Sequence, residues 1–270
     1  MTGPYAEVIG DPISHSKSPL IQKFWLRALG IDADYRATHV TPDALPAYFT
    51  ERKDDPNWRG CNITVPHKVA ALAHVEDHEG VRAAIGAINT VIRADHGVLV
   101  GTNTDAAGFA APLSGFDLAG KPVTVIGAGG AARAVLFALA GIGVGPVTLL
   151  NRNVEKGAAL LSSFGLDGQA LPLDGAVPPS ALLVNTTSLG MIGQPPLDLD
   201  LSALPEHAVV YDIVYAPLET SLLAAARARG LATIDGLEML IGQAAVAFAL
   251  FFGVEPPRDR DAELRGILLG

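Results

Sequence analysis

The segment Val123-Thr124-Val125-Ile126-Gly127-Ala128-Gly129-Gly130-Ala131-Ala132-Arg133 constrains the fold more than any other part of the chain. Four consecutive β-formers predict a buried strand, the glycines let the backbone turn sharply, and the alanines that follow favour a helix. A strand that enters a helix through such a turn leaves unpaired N–H groups at the helix start, where a phosphate is received. The spacing is that of a dinucleotide-binding turn, with Ala132 at the third small position, and it predicts Gly127, Ala128, Gly129, Gly130 and Ala131 as pyrophosphate contacts. A glycine-rich turn without a ligand is the alternative, and the register of strand, turn and helix counts against it.

The rest of the chain extends this plan. Strand-like runs at 123–126, 147–150, 182–185, 208–212 and 231–234, with helical stretches after the glycine turn and through Leu160, make a doubly wound pattern. Ahead of it, strands at 5–10, 35–40 and 61–65 alternate with helices at 19–29 and near 43–52, which implies parallel strands with helical crossovers. Residues 87–93 and 98–102, joined by Ala94-Asp95-His96-Gly97, read as an antiparallel hairpin, so the first sheet is mixed in direction. A helix at about 104–113 then leads to the turn-rich Leu118-Ala119-Gly120-Lys121-Pro122. A long helix from Gly236 and a last one at about 259–269 complete the chain.

At 270 residues the chain has room for two lobes that each bury a core. A net charge of -9 argues against a long nucleic-acid-binding face, and the single cysteine, Cys61, excludes an internal disulfide and a cysteine-rich zinc site. Residues 1–10 lack the basic and apolar stretches of a secretory signal, and the apolar run 244–252 is too short to span a bilayer. The expectation is a water-soluble cytoplasmic protein with no membrane association and no metal.

The end of the second strand of the doubly wound part selects the dinucleotide, because a carboxylate there would bond a ribose hydroxyl whereas a cation would neutralise a 2′-phosphate. The residues are Asn151-Arg152-Asn153, and no acid occurs before Glu155. Arg152 with Lys156 predicts NADP over NAD; a solvated surface arginine is the alternative.

In the first half, Asn62-Ile63-Thr64-Val65-Pro66-His67-Lys68 puts Asn62 and Thr64 on one face of a strand. Pro66 suits a first helical position, which would set Lys68 in a first turn, where the helix dipole favours a neutral amine suited to acid–base work. An exposed surface lysine is the bland alternative. Asp105, in Asn103-Thr104-Asp105, could simply cap a helix, and Ser18 of Ser14-His15-Ser16-Lys17-Ser18-Pro19 reads as a cap as well. Ser14 and Ser16 are surplus to capping and can both face one ligand. His15 and His67 read as structural groups. Neither a serine-hydrolase elbow nor a zinc-protease run is present.

These stretches, together with Gly86-Ala87-Ile88-Asn89-Thr90, the glycine turn, Asn151-Arg152-Asn153 and Asp235-Gly236 with Gln243, resemble the shikimate dehydrogenase family in order and spacing over nearly the whole chain. The resemblance implies an α/β fold: an N-terminal α/β substrate lobe with a mixed, mostly parallel sheet, residues 1–104 joined by C-terminal helices 237–270, plus a Rossmann-type doubly wound NADP-binding domain, residues 105–236. It implies reversible NADPH-dependent reduction of 3-dehydroshikimate to shikimate, on the chorismate route to aromatic amino acids, by a monomer or homodimer. Ser14 and Ser16 would hold the substrate carboxylate with Tyr215 near it. Thr64, Lys68, Asn89, Asp105 and Gln243 would contact ring hydroxyls, with Asn62 beside them. Lys68 and Asp105 would be the acid–base pair, and Ile213 and Gly236 would line the nicotinamide. The substrate would lie between two lobes that close on it.

Departures from the family pattern are specific. Asn153 stands where a threonine is common, with Lys156 as the second cation, and Gly80 stands where many members carry an acid. Both Ser14 and Ser16 are present, which favours shikimate over quinate. Two other readings share parts of the pattern. A methylene-tetrahydrofolate dehydrogenase also couples a lysine to a dinucleotide fold, but lacks the Ser14/Ser16 loop; a non-catalytic NADP sensor would carry a degraded first lobe.

Overall fold

The computed structural model describes residues 3–270, and the chain divides into two compact units: residues 1–105 with 241–270, and residues 106–240. The first unit begins with β1 (Tyr5–Gly10), α1 (Ser18–Leu29), β2 (Asp34–His39), α2 (Leu45–Lys53), β3 (Trp58–Ile63), α3 (Val81–Ala84), β4 (Thr90–Arg93) and β5 (Leu99–Thr102). Its sheet has the order β2-β1-β3-β4-β5. β1 runs parallel to β2 and β3, β4 is antiparallel to β3, and β5 is antiparallel to β4, so only β4 opposes the rest. β1 is buried along its whole length, as a central strand covered on both faces must be. It nevertheless carries Glu7, whose carboxylate receives Thr38 Oγ1 at 2.6 Å, Tyr48 Oη at 2.8 Å and Arg52 Nε at 2.7 Å.

The second unit follows the start of α4 (Asp105–Ala110) and holds β6 (Val123–Ile126), α5 (Gly130–Ile142), β7 (Val147–Leu150), α6 (Val154–Ser163), β8 (Gly168–Leu171), β9 (Leu182–Asn185), β10 (Val209–Asp212), α7 (Ser221–Ala228) and β11 (Ala232–Ile234). Its strands lie in the order β8-β7-β6-β9-β10-β11, and every pairing is parallel. Counted from the first strand of this unit the order is 3-2-1-4-5-6, the Rossmann arrangement, and it reverses between β6 and β9. The four central strands β6, β7, β9 and β10 are fully buried, as helices on both faces require.

The next helix, α8 (Gly236–Phe252), starts in the second unit and ends in the first; α9 (Asp261–Leu269) lies in the first. From Ile241 onward α8 supplies core to the first unit. Phe248 meets Trp25 edge-on at 5.6 Å, Phe251 lies 6.3 Å from Tyr35, and the Ala244 carbonyl accepts Gln22 Nε2 at 3.0 Å.

Several local expectations are corrected. Residues 65–69 form a turn, with His67 N–H bonded to Thr64 O at 2.9 Å, so Lys68 is not in the first turn of a helix and the helix-dipole argument for it does not apply. Proline at a possible N1 position is permissive for a helix, but the chain turns into the 3-10 segment Ala70–His74 instead. Ser18 is the first residue of α1 and caps nothing, since the N-cap is Lys17 in a helical conformation. The hairpin strand begins only at Thr90, because Ile88 N–H bonds to Lys68 O at 2.8 Å and Ala87 O accepts Asn103 Nδ2 at 2.9 Å, both outside the sheet. The edge strand β8 and the short helices α3 and α7 are additions to the expected elements.

Candidate functional site

Topology gathers the polar residues of the first unit at one edge of its sheet. The Ser14/Ser16 loop leaves the carboxyl end of β1, and Thr64 to Lys68 leave that of β3. Because β4 runs the other way and pairs Thr90 with both Asn62 and Thr102, Asn89 enters and Asp105 leaves at the same edge. Ligands of open α/β sheets bind at such carboxyl ends.

There the Lys68 ammonium donates to Asp105 Oδ2. The other carboxylate oxygen accepts Asn89 Nδ2 at 2.8 Å, and Asn89 Nδ2 also lies 3.3 Å from Gln243 Oε1. Asn89 Oδ1 receives the Thr104 backbone N–H at 2.7 Å. Asp105 therefore does not act as a cap: it is the first residue of α4, and its own N–H is taken by Asn103 Oδ1 at 3.0 Å. The Lys68 backbone is fixed too, its carbonyl accepting Ile88 N–H at 2.8 Å. Lys68, Asn89, Thr104, Asp105 and Gln243 thus form one hydrogen-bonded group that keeps the lysine side chain 16% exposed. Thr64 is half-buried beside Gly10, where a Cβ would come within 2.6 Å of its methyl. Ser14 is exposed, and half-buried Ser16 accepts the Ser18 N–H at 3.3 Å; both stand outside the group. His67 is buried with Nε2 2.7 Å from Val40 O, a structural role.

In the second unit the glycine turn lies where the strand order reverses. Gly127 has φ +99°, and a Cβ on it would sit 2.7 Å from Thr187 Cγ2 and 2.8 Å from Thr186 Oγ1. Only glycine leaves that space open for a close-approaching ligand. Ala128 is buried, Gly129 is the N-cap of α5 with no side-chain cap, and Gly130 and Ala131 open the helix, so its first N–H groups are free for an anion. After β7, Asn151 Nδ2 donates to Asn153 O at 2.7 Å, and Asn153 Oδ1 caps α6 by accepting Lys156 N–H at 2.8 Å. Arg152 and Lys156 are both exposed, and Arg152 borders a cavity of about 820 Å³ also lined by Pro172, Asp174, Leu189 and Leu197. These features suit a dinucleotide whose pyrophosphate meets α5 and whose 2′-phosphate meets Arg152. Ile213 and Tyr215 follow β10 half-buried, and burial pushes the Tyr215 phenol up. Gly236 opens α8 against Ile213, whose carbonyl oxygen would lie 2.3 Å from an added Cβ.

The loop after β9 adjoins the glycine turn as well, at residues that none of the sequence motifs includes. Thr186 Oγ1 donates to Ile126 O at 2.6 Å, and Asn185 Oδ1 accepts Thr187 N–H at 3.0 Å, so this loop is pinned against the glycine turn. Four polar residues, Asn185-Thr186-Thr187-Ser188, at the end of an apolar strand were the available signal.

Profiles of known families meet the chain along its length. The one described as Shikimate dehydrogenase substrate binding domain matches residues 8–91, Shikimate / quinate 5-dehydrogenase matches 110–177, and Shikimate 5'-dehydrogenase C-terminal domain matches 236–263. A curated shikimate dehydrogenase (NADP(+)) of Sphingopyxis alaskensis is 62% identical over 266 residues, 98% of this chain and 97% of that one. The chain belongs to the shikimate dehydrogenase family. Among solved structures, shikimate 5-dehydrogenase of Thermus thermophilus, in complex with NADP(H) and shikimate, superposes with a TM-score of 0.87 at 39% identity, covering 98% of this chain and 100% of that one. Quinate dehydrogenase of Corynebacterium glutamicum in complex with NAD reaches 0.88 at 30% identity, covering 98% and 99%. The mixed first sheet and the Rossmann unit are those of this family.

Proposed function

We propose that the chain catalyses the reversible NADPH-dependent reduction of 3-dehydroshikimate to shikimate, in the biosynthesis of aromatic amino acids. The observation that carries this reading is the Lys68–Asp105 pair, held by Asn89 at the ligand-binding edge of the first unit in a member of this family.

Reduction of a ketone needs a hydride on carbon and a proton on oxygen, and the dinucleotide, when bound, supplies the hydride. The proton is the protein's task. An ammonium has three donors, and Asp105 takes one of them, leaving the others to meet the substrate oxygen and deliver a proton to it. In the reverse direction the same pair receives the hydroxyl proton. Asp105 and Asn89 together fix where Lys68 points. Thr64, Asn89, Asp105 and Gln243 are assigned to the ring hydroxyls, Ser14 and Ser16 to the carboxylate, and Asn62 to the site's margin. For Tyr215 the assignment rests on the sequence motif alone. In the second unit Gly127 to Ala131 take the pyrophosphate, Asn151, Arg152, Asn153 and Lys156 the 2′-phosphate, and Ile213 and Gly236 the nicotinamide.

The Corynebacterium match supports quinate as a second substrate, whereas the presence of both serines favours shikimate. Following absorbance near ~340 nm, where reduced nicotinamide absorbs, separates the readings. Turnover is expected with shikimate and NADP. Faster turnover with quinate would reassign the substrate, and equal affinity for NADPH and NADH would remove the role given to Arg152. Among the described residues no helix is long and apolar enough to cross a membrane. We place the enzyme in the cytoplasm as a monomer or homodimer, which sedimentation of the purified chain decides.

A further inference from the structure

Two side-chain amides behind the Lys68–Asp105 pair have orientations that their partners dictate. The backbone N–H of Thr104, which can only donate, is 2.7 Å from Asn89 Oδ1, while the Asp105 carboxylate accepts from Asn89 Nδ2 at 2.8 Å. On Asn62, Nδ2 faces the carbonyl of Asn89 at 3.4 Å and Thr90 Oγ1 at 3.0 Å. Its Oδ1 is left facing Tyr35 Oη at 2.6 Å, so the tyrosine donates. Thr90 Oγ1, having accepted from Asn62, turns its own hydrogen to Asn89 Oδ1 at 3.0 Å. The bonds therefore run in one direction, from Tyr35 through Asn62, Thr90 and Asn89 to one oxygen of Asp105, while Lys68 holds the other. Tyr35 and Thr90 are fully buried, and Asn62, Asn89 and Asp105 are at most 5% exposed.

Stability alone does not call for such a series, because apolar side chains of similar shape hold a core about as well as a buried polar network does. What a fully satisfied network adds is a single arrangement of its members. We infer that Tyr35, Asn62 and Thr90 are positioning residues: by fixing the amide of Asn89 they set the Asp105 carboxylate, and through it the direction in which Lys68 points. Asn62 and Thr90 face each other across β3 and β4, which brings the amide and the hydroxyl together. Both amide hydrogens of Asn62 are committed within the protein, so its part is to hold Thr90. This inference rests on the acid–base role proposed above for Lys68 and Asp105.

Thr90→Val keeps the shape and removes the hydroxyl. It is expected to lower kcat by about tenfold while leaving KM for shikimate and the affinity for NADPH within about twofold, with Thr90→Ser restoring most of the rate. Tyr35→Phe is expected to lower kcat by about threefold and serves in its place if the valine variant does not fold. In a Lys68→Ala background Thr90→Val should cost nothing further, since both act through one group. A kcat within twofold of the parent's, or losses that multiply in the double variant, would overturn the inference. A second measurement does not depend on turnover: exchange of the Asn89 side-chain amide hydrogens, followed by nitrogen-15 NMR in the ligand-free protein, with the buried indoles of Trp25 and Trp58 reporting the fold. Thr90→Val should speed that exchange by about tenfold or more, and unchanged exchange would overturn the inference. Absence of any shikimate-dependent turnover in the parent protein would instead end the functional reading and leave this measurement to judge the network by itself.

Discussion

The side-chain amide of Asn185, at the end of β9, donates to the carboxylate of Asp212, at the end of β10, at 2.9 Å. The same carboxylate accepts the Val214 N–H at 3.1 Å and Thr220 Oγ1 at 2.7 Å, and Thr220 in turn caps α7. Burial pushes the Asp212 carboxyl upward, and these hydrogen bonds act in the opposite sense. One buried side chain therefore ties together two loops at the carboxyl edge of the Rossmann sheet. Asp212→Ala is expected to cost about 2–4 kcal/mol by leaving buried donors without an acceptor, and to weaken NADPH binding as the loops loosen. Chemical denaturation and cofactor titration read the two effects; an unchanged unfolding midpoint would contradict the first.

Lys68→Ala should lower kcat by a hundred- to ten-thousand-fold, roughly the usual worth of a positioned acid–base group, while NADPH binding, a property of the other unit, stays within about twofold. Steady-state kinetics with a parallel fluorescence titration make the comparison. Near-normal turnover would remove Lys68 from the chemistry.

Glu7 is predicted to make the first unit sensitive to acid. Burial raises its carboxyl, but hydrogen bonds from Arg52, Thr38 and Tyr48 and the charge of Arg52 outweigh that and leave it below the ordinary value of 4.5. A carboxyl lowered in the folded state adds stability that is present above its unfolded value and is lost as pH falls through the folded one. Glu7→Gln should therefore cost about 2–3 kcal/mol at neutral pH, toward the low side because Arg52 keeps 22% exposure. The gap between the two proteins should narrow as pH falls below about 4.5. Urea unfolding at two pH values tests the sign, and a gap that widened in acid would be incompatible with it.

Gly127→Ala places a methyl group into Thr186 and Thr187 at a backbone angle of +99°, where side chains are strained. Loss of NADPH affinity by about tenfold or more is expected, with a stability cost of about 1–3 kcal/mol. Unaltered affinity would mean that the pyrophosphate does not approach this turn.

The features legible in the sequence are those written in contiguous residues. The run from Val123 to Arg133 fixes a strand, a turn and a helix in one stretch, and the alternation around it predicts the Rossmann unit and the mixed first sheet. Lys68 stands out in the sequence for a reason the structure does not support, since a proline permits a helix start without compelling one and tertiary contacts of the 65–69 turn decide the local path. The edge strand β8 has two exposed residues and no apolar run, so nothing in Gly168-Gln169-Ala170-Leu171 announces it. Pairings between distant positions, such as Glu7 with Arg52 or Tyr35 with Asn62, have no local signature. A lone carboxylate inside the apolar strand around Glu7 is the only trace of the first.

The first unit is assembled from both ends of the described chain, with the whole Rossmann unit inserted between them. Trp25 and Tyr35 find aromatic partners in Phe248 and Phe251, more than two hundred positions later. On the ribosome, the sheet from which the Lys68 turn departs must wait, with that apolar face uncovered, until residues 241–270 have been synthesised. Residues 106–240 meanwhile hold all six strands of their own sheet and can fold first, which makes the emergence of residues 241–270 the step at which the core of the first unit is completed.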